Sequence, residues 1–181
     1  MFAGTICEKK GIRQLCLAIP QIIDEFPEFH LYVYGRDWFF PDGTLYKSWM
    51  LEQMSDKIKS NITFKSPVPY SKLPMVYEFA EICVFPSHIE VQGLVAPEAM
   101  CMKKNVVFTK IGPGPETIDN NINGFLCDPL DIDSIATTII KVFKLREKHK
   151  EIGENARKKV IQKFSPEIIY KKNIDFYKSI L

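Results

Sequence analysis

Residues 82–100 read ICVFPSHIEVQGLVAPEAM. Four apolar residues, Ile82 to Phe85, form a short buried strand that stops at Pro86. A loop containing Gly93 follows, and helical spacing resumes from about Leu94 to Met102. Strand, loop and helix in that order make the repeating unit of an α/β sheet. Pro97 disfavours a helical Ala96, so the helix is expected to begin at Pro97 with Glu98 in its first turn.

The alternation continues in both directions. Met1–Gly4 reads as the tail of a strand, and its shortness implies a chain that starts mid-protein. Ile12, Leu15, Cys16, Ile19, Ile22, Ile23 and Phe26 follow helical spacing; Pro20 is expected to bend that helix, and Pro27 lies beyond it. Leu31–Tyr34 is a strand ending at Gly35, 45–54 a helix, 62–64 a strand and 72–79 a short helix. On the other side come a strand at 105–109, a Gly/Pro-rich loop at 112–115 and a strand at 124–127. Helices near 132–145, 148–164 and 166–180 complete the chain, the last capped by Ser165 ahead of Pro166. This pattern implies a parallel sheet with helices on both faces. Such sheets take ligands at the carboxyl ends of their strands, which points to the loops at 4–11, 35–43, 67–71, 86–93 and 109–116.

The totals narrow the class. The 181 residues suit one domain, 46% of them are apolar, and a net charge of +2 gives no reason to expect nucleic acid. Residues 141–172 carry eleven Lys or Arg against four Glu, a basic face that is either a solvated helical surface or a contact for a membrane or an acidic ligand. Five cysteines, an odd number with no C-x-x-C spacing, indicate a reducing compartment rather than a disulfide or zinc framework. No apolar run is long enough to span a bilayer, and no signal peptide is visible. Neither G-x-G-x-x-G nor a Walker A sequence occurs, which argues against dehydrogenase and P-loop chemistry. Asp131-Ile132-Asp133 has the Asp-x-Asp form of a metal-binding motif, but it leads into a helix and reads better as a cap.

Glu90 and Glu98 flank seven residues that include Gly93. Carboxylates accept hydrogen bonds from sugar hydroxyls, and the free amides at a helix start favour an anion. Two such acids facing one crevice suit a sugar joined to a phosphate; the bland alternative is a pair of surface glutamates.

The run from Pro86 to Met100 resembles the E-x7-E signature of the large retaining glycosyltransferase family of the GT-B fold, glycosyl transferases group 1, which includes many bacterial polysaccharide and lipopolysaccharide enzymes. FAGTICEKKG at 2–11 looks like that family's first strand and phosphate loop, and LYVYGRD at 31–37 like its second strand. AEICVFPS at 80–87, GPGPETI at 112–118, NGFLCDP at 123–129 and the closing FSPE fall in family order, so the resemblance covers nearly the whole chain. It implies a Rossmann-like domain over 1–181, one half of a GT-B fold. It also implies that the terminal helix, 165–181, packs back on an acceptor-binding N-terminal domain.

The resemblance also assigns roles to matching residues. Glu90 binds donor-sugar hydroxyls; the backbone at Gln92, Gly93, Leu94 and Val95 touches the sugar and diphosphate; Glu98 grips the ribose; Lys10, with the Gly4–Thr5 backbone and hydroxyl, holds the diphosphate; the base rests near Val68. Glu90 and Lys10 are thereby the candidate catalytic residues, and Glu116 either lines the pocket or serves as a helix-start acid. His88 is read as a loop histidine. Where the family usually has arginine this chain has Thr5, a change that Arg36 could offset, and Gln92 replaces a common aromatic. The implied reaction moves a sugar, with retention, from a nucleotide-diphosphate sugar to a glycan or lipid-linked acceptor. It uses no metal or other cofactor, in the cytoplasm or at the inner face of a membrane, and the isolated domain is expected to be inactive. The alternatives are a non-catalytic nucleotide- or sugar-binding module, and a phosphorylase-like or epimerase-like enzyme of the same fold.

Overall fold

A computed structural model describes residues 1–180. In chain order the elements are β1 (Phe2–Ala3), α1 (Ile12–Glu25), β2 (Leu31–Tyr34), α2 (Tyr46–Glu52), α3 (Asp56–Lys59), β3 (Ile62–Lys65), α4 (Leu73–Glu78), β4 (Ile82–Phe85), α5 (Val95–Cys101), β5 (Asn105–Thr109), α6 (Gly114–Thr117), β6 (Phe125–Cys127), α7 (Ile132–Lys144), α8 (His149–Phe164) and α9 (Pro166–Ser179).

All strand pairing is parallel, as the sequence pattern required. One three-stranded sheet runs β1-β2-β3, with Phe2 opposite Val33 and Val33 opposite Phe64. The other runs β4-β5-β6, with Val84 opposite Val107 and Val107 opposite Phe125. Two hydrogen bonds lace the sheets together where β1 meets β4: the Met1 amino group donates to the Ile82 carbonyl at 2.6 Å, and Val84 N–H donates to the Met1 carbonyl at 2.9 Å. The spatial order is therefore β3-β2-β1-β4-β5-β6, and the direction of winding reverses between β1 and β4. Right-handed crossovers on either side of that reversal put α1 and α5 on opposite faces. There α1 packs against α7, and α5 against α8.

The core follows from the apolar strands. Every residue of β4 and β5 is buried, as expected for strands covered on both faces. The Phe2 and Phe85 rings, 6.4 Å apart, close the seam between β1 and β4. Each fully buried side chain of this size contributes about 1.5–3 kcal/mol, so the seam is a packed boundary and not a hinge.

Several local expectations change. α5 begins at Val95, so Ala96 is helical despite preceding Pro97. Pro97 falls in the first turn, where its missing N–H would have had no helical partner, and Ala96 is fully buried. Glu98 makes the first helical bond, its N–H donating to the Leu94 carbonyl at 2.9 Å. α1 continues as helix through Pro20, with its buried face packed on α7 and α3. α3 and α6 are helical turns in stretches read as connections, and Glu116 lies in the first turn of α6. Ser165 starts α9 through its carbonyl, which accepts from Ile169 N–H at 3.0 Å, with no bond from its side chain. Asp131 does cap α7, accepting from Asp133 N–H at 2.9 Å. The five cysteines are free thiols, and no described helix is long and apolar enough to cross a membrane.

Candidate functional site

The winding reversal opens a crevice at the carboxyl ends of β1 and β4, where doubly wound sheets take ligands. Two loops form its walls. The first leaves β1, makes a 3-10 turn over Glu8–Lys10, and enters α1 through Gly11. The second runs from Pro86 to Leu94. They are laced by backbone: the Lys9 carbonyl accepts from His88 N–H at 2.9 Å and from Ile89 N–H at 3.3 Å.

Across this lacing the Lys10 ammonium meets Glu90 Oε2 at 2.6 Å, the two side chains being 26% and 10% exposed. The Glu90 Oε1 accepts its neighbour Val91 N–H at 3.3 Å. Gly93, at φ +62°, sits where a Cβ would lie 2.6 Å from the Phe108 ring and 3.0 Å from Glu90 Cγ. A side chain there would displace the very carboxylate that Lys10 holds. Among the described residues, the Gln92, Gly93 and Leu94 N–H groups donate to no other group of the chain.

Glu90 and Glu98 line two adjoining clefts rather than one. Lys10, Glu90 and residues 91–95 bound about 370 Å³. Tyr70, Glu98, Glu116 and Phe164 are among the walls of a neighbouring space of about 580 Å³, and Val91, Gln92 and Leu94 separate the two. Glu98 is held from below by Tyr77, whose buried hydroxyl donates to its Oε2 at 3.1 Å. Burial and the adjacent carboxylate push the Tyr77 phenol far above its ordinary pKa, so it remains a donor. Tyr70, exposed at the cleft mouth, is also raised by the Glu98 charge.

The remaining candidates are placed less closely. Gly4, Thr5 and Val68 line neither cleft, and the Gly4 N–H is committed to the Tyr34 carbonyl at 2.9 Å. Arg36 is exposed. The His88 Nε2 is buried without a hydrogen-bond partner among the described residues. No cluster of three metal-ligating side chains occurs among those residues either.

One cluster beside the site carried no sequence signal. The Glu8 carboxylate accepts from Arg13 Nε at 2.8 Å, Arg13 Nη2 at 2.7 Å, Gln14 Nε2 at 2.7 Å and Tyr46 O–H at 2.5 Å. Arg13 first, then the Tyr46 and Gln14 hydrogen bonds, hold its pKa at about 2 against an ordinary 4.5. A carboxylate depressed on folding adds stability above its unfolded pKa and loses it as pH falls toward the folded value. The stability difference between the protein and Glu8→Gln should therefore be constant above pH 4.5 and shrink steadily toward pH 2. Urea unfolding across that range measures it, and a gap independent of pH would refute the assignment.

With this geometry in place, likeness to known proteins becomes informative. The family model described as glycosyl transferases group 1 matches residues 1–159. The chain is 30% identical over 178 residues to the uncharacterized glycosyltransferase MJ1607 of Methanocaldococcus jannaschii, covering 98% of this chain and 44% of that protein. It is 27% identical over 187 residues to the capsular polysaccharide biosynthesis glycosyltransferase CapM of Staphylococcus aureus, covering 99% and 46%. Among solved structures it is similar to TarM of S. aureus, in complex with fondaparinux, alpha-GlcNAc-glycerol and UDP, at a TM-score of 0.80 and 26% identity over 96% of this chain and 34% of that one. The chain thus spans less than half the length of these relatives. Its fold, its sequence and the order of its loops agree: the chain belongs to glycosyl transferases group 1 and forms one Rossmann-like half of a GT-B fold.

Proposed function

We propose that this chain is the donor-binding half of a retaining glycosyltransferase that takes a sugar from a nucleotide diphosphate. The observation that carries the reading is the Lys10–Glu90 pair at the winding reversal, one wall away from the Glu98 cleft. A nucleoside diphosphate sugar laid along the 91–94 wall would put its ribose at Glu98, its diphosphate at Lys10 and the Gln92–Val95 backbone, and its sugar hydroxyls at Glu90. TarM's complex with UDP and CapM's role in polysaccharide synthesis support a UDP-sugar donor and a glycan acceptor.

The chemistry requires stabilising the charge that builds on the departing diphosphate. Lys10 supplies a fixed cation and the loop amides supply preorganised donors, so no metal is required. Glu90 orients the sugar for transfer. The acceptor would come from an N-terminal domain facing the crevice. Ile174, Phe176, Tyr177 and Ile180 on and just beyond α9 are exposed and apolar, which suits a helix that packs on such a domain. The enzyme would act in the cytoplasm or at the inner membrane face, and the isolated half would bind donor without transferring sugar.

Titration calorimetry with UDP and UDP-glucose tests this. Binding of either in EDTA is expected, weakened about tenfold in Glu98→Ala by loss of a charged ribose contact. A chain that binds no nucleoside diphosphate or its sugar ester would remove the basis of the proposal.

A further inference from the structure

The Glu8 cluster lies outside both clefts, yet it is built more elaborately than a surface ion pair. One carboxylate collects four hydrogen bonds from three side chains, two on α1 and one on α2. The Arg13 contact is bidentate, the strongest arrangement a carboxylate can accept. Tyr46 is 1% exposed, and its ring is wedged among Trp38, Phe40 and Trp49 at centroid distances of 6.3, 5.8 and 5.4 Å. Its hydroxyl therefore approaches Glu8 from a rigid aromatic platform, and burial with the Glu8 charge keeps the proton on the phenol.

Glu8 opens the 3-10 turn that Lys10 closes. Fixing Glu8 from three directions fixes that turn, and with it the point from which the Lys10 side chain leaves the backbone. The Arg13 guanidinium also cancels the Glu8 charge, so a carboxylate two residues from Lys10 neither captures the ammonium nor repels an anion bound by it. Lys10 is left to pair with Glu90 at 2.6 Å.

We infer that Glu8, clamped by Arg13, Gln14 and Tyr46, is a positioning residue for the donor diphosphate, acting through Lys10. This rests on the donor-site reading above, in which Lys10 contacts the diphosphate. Misplacing a charged group by a fraction of its side-chain length is enough to cost an order of magnitude in binding or rate.

The test is a mutant cycle on the full 181-residue chain, with UDP binding followed by calorimetry and uridine binding by NMR titration. Glu8→Ala is expected to weaken UDP about tenfold and Tyr46→Phe, which keeps the aromatic platform, about threefold, with uridine affinity unchanged in both. Neither substitution should weaken UDP further once Lys10 is alanine. Equal losses for UDP and uridine, or losses that add to that of Lys10→Ala, overturn the inference and leave Glu8 a purely structural clamp. If Lys10→Ala itself leaves UDP binding intact, the donor-site reading and this inference fall together. Should Glu8→Ala not fold, Tyr46→Phe alone decides by the same criteria.

Discussion

Gly11→Ala is expected to destabilise the chain by about 3 kcal/mol or more and to abolish the UDP binding proposed above. Two costs combine. Gly11 sits at φ +70°, a left-handed conformation that costs an L-residue about 1–2 kcal/mol. An alanine Cβ there would also lie 1.8 Å from the Pro86 carbonyl oxygen and 2.8 Å from its carbon. Both are backbone atoms at the end of a fully buried strand, so the loops must part, and such overpacking adds about 1–3 kcal/mol. Parting them breaks the bonds from His88 and Ile89 to the Lys9 carbonyl and carries Lys10 away from Glu90. Gly43→Ala is the control: its φ is +87°, but nothing lies within 4 Å of a Cβ there, so only the conformational cost applies. Urea unfolding of both variants separates the terms. Equal destabilisation in the two would mean that the loop contact contributes nothing.

Gly11 also shows how far the sequence could be read. A glycine ending the first strand's loop, and the buried runs of β4 and β5, are local signals that depend on period and residue type alone. Asp131 is another: a cap is a bond to a backbone group two residues on, visible without the rest of the fold. Short helices escaped because four residues carry too little periodicity. Ile58 is the one buried side chain of α3, and the prolines around Gly114 read as loop although proline is well suited to a helix start. The Lys10–Glu90 pair spans 80 positions and the Tyr46–Glu8 bond 38, so neither has any local signature. Family likeness supplied both members of the first pair. It was silent on the second, because Glu8, Arg13 and Tyr46 meet only after α1 and α2 are packed around the loop.

If Lys10 holds the diphosphate as proposed, Lys10→Ala is expected to weaken UDP binding by about 10–100-fold, and Glu90→Gln to leave it unchanged or strengthen it. The difference follows from their being partners in the free chain. A charge-assisted hydrogen bond contributes about 1.5–3 kcal/mol, which sets the loss when the ammonium is removed. An ammonium has three donors, and in the free chain Glu90 holds one of them. Replacing that carboxylate by an amide frees the cation for the diphosphate and removes a negative charge from beside it. The gain stops at UDP. A UDP-sugar should lose whatever advantage it has over UDP in Glu90→Gln, because the amide is a weaker acceptor for sugar hydroxyls than the carboxylate. Stability should divide the same way. Lys10→Ala strands a carboxylate that is only 10% exposed, costing about 1–3 kcal/mol, while Glu90→Gln leaves Lys10, at 26% exposure, free to turn to solvent at smaller cost. Calorimetry with UDP and UDP-glucose, alongside urea unfolding, measures all four quantities. Equal UDP losses in the two variants would show that Glu90 contributes to the diphosphate site itself, and the separation of sugar and diphosphate contacts between the two residues would have to be abandoned.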